Sequence, residues 1–386
     1  MVQEGKTVLV LGGGVGGLVT ANELRKQLQE PHRVVVIERS TTHLFYPSLL
    51  WLMIGQRKPQ AISRQLDTLA QKGIEVVRGE ITTLAPETHA IKVDGQQFTG
   101  DYLVVSLGAE LAPEMVPGLS QAGYNLYTLE GMENLSKALA TFKAGKLALV
   151  VASLPYKCPA APYEAAMLLE YSFRKRKIRE QVELDLYAGE AGPMGVAGPE
   201  VSAAVREMVE KKGIHYYPDQ YITRVDPQAH QLHFASDLTA SYDLLAFVPP
   251  HRVPRLAIEA GLAREGAWVP VDRYTLETRY PGVYAIGDIT GIPLAIGKPL
   301  PKAGVFAHGQ AEVVAHNIAV AITGKGEAER FEGHGECFIE MGDGKAGFAR
   351  GDFYAEPAPS VKMYTPGPHW HAAKVLFEKD WLRRWF

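Results

Sequence analysis

The sequence predicts an α/β protein with two βαβ units of the parallel-sheet kind in tandem and a C-terminal helical tail. Three observations carry this. A short apolar strand, Val8-Leu9-Val10-Leu11, runs into Gly12, Gly14 and Gly17 in G-x-G-x-x-G register, and residues 18–28 continue at helical spacing. A second apolar run, Val34-Val35-Val36-Ile37, ends in Glu38, 21 residues after Gly17. From Lys146 the order repeats, with the strand LALVVAS and a helix over 160–178.

The first unit is a complete Rossmann-like fingerprint. Its first glycine permits the tight turn, the second lets backbone approach a pyrophosphate, and the third lets helix pack on strand. The helix start offers free N–H groups and a positive dipole end to phosphate. Glu38 is placed to accept from a ribose hydroxyl, and Arg39 follows it. Strands are expected at 74–78, 91–93 and 98–107, the last leaving through Gly108. Between Glu38 and these, STTHLFYPSLLWLMIG reads either as a segment packed over a ligand or as a buried connecting helix.

The second unit differs at its turn, LPYKCPAAPYE, which has no glycine. Pro155, Pro159 and Pro162 stand where a nicotinamide cofactor needs bare backbone, and proline has no N–H to offer. The order is Rossmann-like, but the turn is ill suited to NAD(P)H. A strand at 184–188, a helix at 201–212 and a strand at 242–248 follow, and then Val283-Tyr284-Ala285-Ile286 runs into Gly287-Asp288. Asp288 reads either as a contact to the cofactor's ribityl chain or phosphate or as a plain helix cap. The loop GKPLPKAGVFAHGQ leads into a helix, from Lys302, Ala303 and Gly304, whose start can stabilise negative charge on a reduced ring; Lys302 reads either as adding to that or as a surface lysine.

Length and composition set the bounds. At 386 residues the chain holds two or three domains. These are expected at 1–110 with 241–320 (the cofactor domain), 111–240 (the second unit, carrying Cys158), and 321–386 (the segment with Cys337 and the tail). A net charge of −3 gives no reason to invoke nucleic acid. No run of eighteen apolar residues predicts a membrane span, and a strand starting by Thr7 leaves no room for a signal peptide in the chain as given. Two cysteines are too few for a structural disulfide framework. No metal ligand set is assigned.

These residues together resemble the sulfide:quinone oxidoreductases and the flavoprotein subunit of flavocytochrome c sulfide dehydrogenase. Both are two-dinucleotide-fold flavoproteins of the glutathione reductase-like kind. The resemblance runs from Lys6 to about Glu378 through VLVLGGGVGGLVTANEL, FYPSLLWLMIG, PYKCPAAPYE, VYAIGDI, KPLPKAGVFAHGQA, the late Cys337 and AAKVLFEKDW. The CPAAPYE and PKAGVF stretches are the particular ones. It implies FAD as cofactor, held by Gly12, Gly14, Gly17, Glu38, Arg39, Gly108, Gly287, Asp288, Lys302, Ala303 and Gly304.

The resemblance also implies a redox pair of Cys158 and Cys337, which lie 179 residues apart. In that family sulfide attacks the bridged pair, a persulfide is left on one cysteine, and the freed thiolate passes two electrons to FAD, which is what the resemblance implies here. Cys158, before a helix, is expected to favour the thiolate. Glu164 and His308 are candidate bases, and Lys302 joins Cys158, Cys337 and Glu164 as a candidate catalytic group. The chain departs from the family where a third cysteine is usual, here Tyr127, and where histidines are expected, here Gly131 and Pro193.

The tail, HWHAAKVLFEKDWLRRWF, mixes Trp370, Phe377, Trp381, Trp385 and Phe386 with Lys374, Lys379, Arg383 and Arg384. It reads as an interfacial membrane anchor or as a helix docked on the chain's own core or on a second copy. The expected partners are sulfide, a membrane quinone, a membrane surface and a second copy, with a peripheral place at the cell membrane and otherwise the cytoplasm. A cytochrome as acceptor, a type II NADH dehydrogenase, and a flavin-bearing sulfur carrier or redox sensor stand as alternatives.

Overall fold

The computed structural model describes residues 5–386. Its first sheet is parallel, in the order Val283–Ala285, Tyr102–Val105, Thr7–Leu11, Arg33–Glu38, Glu75–Arg78. Val8 to Leu11 and Val34 to Ile37 are buried without a break, as a sheet covered on both faces requires. Side-chain alternation divides them. Val8 and Val10 pack with helices Val15–Gln27 and Gly304–Thr323, whereas Leu9 and Leu11 pack with Leu84, Ile91 and Val93 of a small antiparallel sheet. The strand expected over 98–107 is two strands in two sheets, Gln96–Thr99 and Tyr102–Val105. The chain breaks between them, where Asp101 turns to accept from the Thr7 amide at 2.7 Å.

The second sheet is also parallel: Tyr124–Asn125, Leu244–Val248, Gly145–Val151, Val182–Ala188, His215–Tyr217. The helices expected at 160–178 and 201–212 form as Ala161–Lys175 and Pro199–Glu210. The boundary expected at 240/241 cuts this sheet. Leu244–Val248 is hydrogen-bonded along Gly145–Val151, so the second unit extends past Val248. The short helix Leu49–Met53 is wholly buried in the core of this unit, as a connecting helix would be, while Thr42–Leu44 before it is a strand and Tyr46 between them is 47% exposed.

The C-terminal segment contains an antiparallel sheet that sequence reading missed: His334–Gly342, Lys345–Asp352 and Ser360–Gly367, followed by helix Pro368–Arg384. Trp381 and Trp385, 3% and 1% exposed, lie in the core of the first unit. The Trp381 indole donates to His43 Nε2 at 3.1 Å, and Asn22 Nδ2 donates to the Trp385 carbonyl at 3.2 Å. Trp370 stacks on Phe348 at 4.2 Å. Trp381, Trp385 and Lys374 therefore do not meet lipid as an anchor would need. Large rings that bury so much apolar area stabilise most when sealed in protein. Only Leu376 and Phe377, 66% and 42% exposed, are the helix's large apolar groups turned outward.

Candidate functional site

The expected cofactor residues gather at the C-terminal ends of the first sheet's strands, the crevice where open α/β sheets take ligands. Gly12 follows Thr7–Leu11, Glu38 ends its strand, Gly108 follows Tyr102–Val105, and Gly287 and Asp288 follow Val283–Ala285. Gly12 has φ +103°, and a Cβ there would overlap the Ser106 carbonyl; one at Gly17 would overlap the Gly12 carbonyl. A Cβ at Gly14 meets nothing within 4 Å. Gly14 is thus bare towards open space, whereas Gly12 and Gly17 are bare for packing. Glu38 accepts from the Gly13 amide at 2.7 Å and the Ser40 amide at 2.8 Å, which fixes its carboxylate beside the turn. Arg39 lies outward in an exposed pair with Glu80 at 3.4 Å.

Two long helices start at this crevice without a side-chain cap, Val15–Gln27 after Gly14 and Gly304–Thr323 after Ala303. A Cβ on Gly304 would touch Val15 Cγ2 at 3.7 Å, so the two starts converge. Their uncapped N–H groups and summed dipoles suit a diphosphate and an electron-rich ring. The donor set fits FAD: bare amides for the diphosphate, a carboxylate for a ribose, and Asp288 beside a helix start.

Lys302 is 5% exposed. Its ammonium donates to the carbonyls of Asp288 at 2.6 Å and Thr290 at 3.1 Å and sits 3.2 Å from the Trp268 ring centroid. Burial brings its pKa down to about 7, against the attraction of Asp288. Burial also holds the Asp288 carboxyl above the usual carboxylate range, with Lys157 and Lys302 opposing.

The cysteine turn is tied to this segment. The Cys158 amide donates to the Lys302 carbonyl at 2.6 Å, and Lys157 pairs with Lys302 as an isolated bridge. Cys158 itself has φ +52°, a left-handed conformation that costs a non-glycine residue about 1 kcal/mol or more. Tyr127, standing where a third cysteine is usual, clamps the turn: its hydroxyl donates to the Lys157 carbonyl at 2.6 Å. That role was missed, because a tyrosine before a helix cap carries no sequence signal for a contact 30 residues away.

Cys337 lies on His334–Gly342, opposite Ala349, and both cysteines are free thiols that pack against one core. The expected thiolate is corrected. Burial first, then the Glu164 charge, pushes the Cys158 thiol up to about 12, with Lys374 acting the other way. The reason is local: the helix begins at Ala161, beyond the cysteine, and its first turn presents Glu164 to it. Burial and then the charge of Cys158 raise Cys337 as well.

Glu164 joins the two cysteine elements. It is 3% exposed, accepts from the Glu340 amide of the Cys337 strand at 2.7 Å, and is paired with Lys374 at 2.5 Å. His308, the other candidate base, is elsewhere. Its Nε2 is 3.2 Å from Glu312, and its ring packs edge-on against Trp381 and Trp385. Gly131 spends its amide on the Thr128 cap at 3.1 Å.

The chain is 25% identical over 366 residues to the mouse mitochondrial sulfide:quinone oxidoreductase, covering 91% of this chain and 79% of that protein. It is 27% identical over 397 residues to the sulfide-quinone reductase of Aquifex aeolicus, covering 98% of this chain and 90% of that one. The X-ray structure of the Aquifex aeolicus sulfide:quinone oxidoreductase superposes with a TM-score of 0.89 over 98% of this chain and 91% of that chain, at 25% identity. The pattern of the pyridine nucleotide-disulphide oxidoreductases matches residues 6–311, four-fifths of the sequence and all of the crevice just described. The chain belongs to that pyridine nucleotide-disulphide oxidoreductase family.

Proposed function

We propose that this protein is an FAD-dependent enzyme that oxidises sulfide at Cys158 and Cys337 and delivers the electrons to a quinone. The observation that carries the reading is the 2.6 Å hydrogen bond from the Cys158 amide to the Lys302 carbonyl. It seats a strained cysteine turn on the segment that opens the Gly304 helix at the cofactor crevice. Bound FAD supplies the two-electron acceptor that sulfur oxidation needs. The chain's own residues hold the parts in place. Tyr127 fixes the cysteine turn, and Glu38 and the bare Gly14 backbone at the helix start orient the dinucleotide. Lys302, titrating near neutrality, offers positive charge or a proton beside Asp288. The raised thiols mean that proton removal has to accompany attack by either sulfur.

Among the described residues, no helix is long and apolar enough to cross a membrane. The reading places the protein at a membrane surface through Leu376, Phe377 and Tyr46, the last 47% exposed. The test is anaerobic titration of the purified holoprotein, followed by its flavin absorbance. Sulfide bleaches it, a quinone analogue restores it, and NADH leaves it unchanged because the second turn has few amides to give. Rapid bleaching by micromolar NADH, with none by sulfide, would transfer the protein to the NADH dehydrogenases.

A further inference from the structure

Behind the cysteines lies a chain of ionisable groups that the reading above does not use. Glu164, Lys374 and Glu340 are 3%, 4% and 1% exposed. Lys374 Nζ is 2.5 Å from Glu164 Oε1, and Glu340 is the second carboxylate that holds its charge. Glu340 Oε1 and Oε2 lie 2.9 and 3.1 Å from His371 Nδ1, and the His371 side chain is 30% exposed. His371 and Lys374 are three residues apart on one helix face; His371 reaches Glu340 on the strand, and Lys374 reaches Glu164, which accepts from the Glu340 amide. The line thus runs from the cysteines to the surface through three elements: Ala161–Lys175, His334–Gly342 and Pro368–Arg384.

Two buried carboxylates face one buried ammonium, which leaves one negative charge uncompensated. Such a charge is costly in a low-dielectric interior. One more proton closes the count, and the hydrogen-bonded Glu340–His371 pair is the place for it. Burial lifts the Glu340 carboxyl above its usual range, while Lys374 and His371 oppose the lift. Glu164 and Glu340 outweigh burial at Lys374, so its ammonium stays charged. The other groups facing the line are Cys158 and Cys337 at the inner end, with Trp51 beside Lys374 and His371. One turn on, Glu378 is already satisfied by Arg57 at 2.8 Å and Ser48 at 2.7 Å and takes no part.

We propose that Lys374, Glu340 and His371 form a proton route between the cysteine site and the surface, with Glu164 at its inner end. The proposal rests on the sulfide reading for what it serves. In net terms, oxidising hydrogen sulfide to sulfur at oxidation level zero releases two electrons and two protons. The electrons leave through FAD to the quinone, which takes up its own two protons where it is reduced. The two protons from sulfide are left at the cysteines. Glu164 accepts them in turn: Lys374 gives a proton of its ammonium to Glu340 and is recharged from Glu164, which frees Glu164 for the next, and Glu340 passes its proton to His371 and solvent. Lys374, Glu340 and His371 are positioning residues that act through Glu164.

The test uses the holoprotein and the variants His371→Gln and Glu340→Gln, which keep side-chain size and avoid stranding Lys374. Flavin bleaching by sulfide is followed by anaerobic stopped flow from about pH 5 to 8. The wild-type profile carries an inflection from the shared proton. Each variant loses it and slows at least about 10-fold, and added imidazole restores the rate of His371→Gln. Unchanged rates, or slowing with the profile intact and no imidazole rescue, overturn the route and leave a structural tie. A second measurement needs no sulfide: alkylation of the reduced cysteines by iodoacetamide across the same range. Loss of the inflection in both variants supports the route, and superposed curves overturn it. If sulfide fails to bleach the wild-type flavin, the sulfide reading falls while the alkylation curves still decide the route.

Discussion

The two strand-to-helix turns of this chain occupy the same place in two parallel sheets and do opposite things. After Thr7–Leu11 the turn is glycine, and its helix start is uncapped and open to a ligand. After Gly145–Val151 the turn carries Pro155 and Pro159, with Pro162 in the first turn of the helix that follows, and the Cys158 amide is already given to Lys302. The first turn offers backbone, and the second offers a side chain held in a left-handed conformation at φ +52°. One βαβ frame therefore presents backbone donors or a side chain according to whether its turn leaves N–H groups free. The second helix instead presents the Glu164 side chain of its first turn towards Cys158.

The sharpest way to break this contrast is at the cysteines. Cys158→Ser and Cys337→Ser should each slow flavin bleaching by sulfide at least about 1,000-fold, because one sulfur holds substrate while the other is displaced. Full bleaching by sulfide in either variant ends the paired reading. The next effect belongs to the glycine turn. Gly14→Ala meets no protein atom within 4 Å, so it should fold normally yet weaken FAD binding about 10-fold or more. Gly17→Ala overlaps the Gly12 carbonyl and should lose the folded domain itself. Flavin retained after desalting, read beside circular dichroism, separates the two.

A smaller effect sharpens the second turn. The Glu164 charge raises the Cys158 thiol, so Glu164→Gln lowers that pKa and increases the thiolate fraction at fixed pH. One unit is a tenfold change, so iodoacetamide should react with the reduced protein about 10-fold faster near pH 8. Equal rates would mean that burial alone sets the thiol. The smallest expected effect lies on the outer face of the last helix. Leu376→Ser with Phe377→Ser removes apolar area worth about 1.5–3 kcal/mol per side chain if lipid covers it. Flotation with anionic liposomes should fall, with sulfide-driven bleaching unchanged. Equal flotation would leave the last helix as a docking element alone. Deleting that helix is a poor substitute, since Lys374, Trp381 and Trp385 are part of the core.

Local chemistry made much of this molecule legible in the sequence. Gly12, Gly14, Gly17, Glu38 and Asp288 declare a dinucleotide crevice because turn sterics and strand-end placement are short-range properties. Pro155, Pro159 and Pro162 declare the unusual second turn for the same reason. The tertiary structure decided what depends on contacts far apart in the chain. It placed Leu244–Val248 in the second sheet, because strand pairing is set by neighbours across the sheet rather than by chain order. It turned Trp381, Trp385 and Lys374 inward, since an aromatic and basic helix reads the same whether protein or lipid covers it. It also reversed the expected state of Cys158: a helix start is written in the sequence, but burial beside Glu164, which depends on packing against the Cys337 strand, outweighs it.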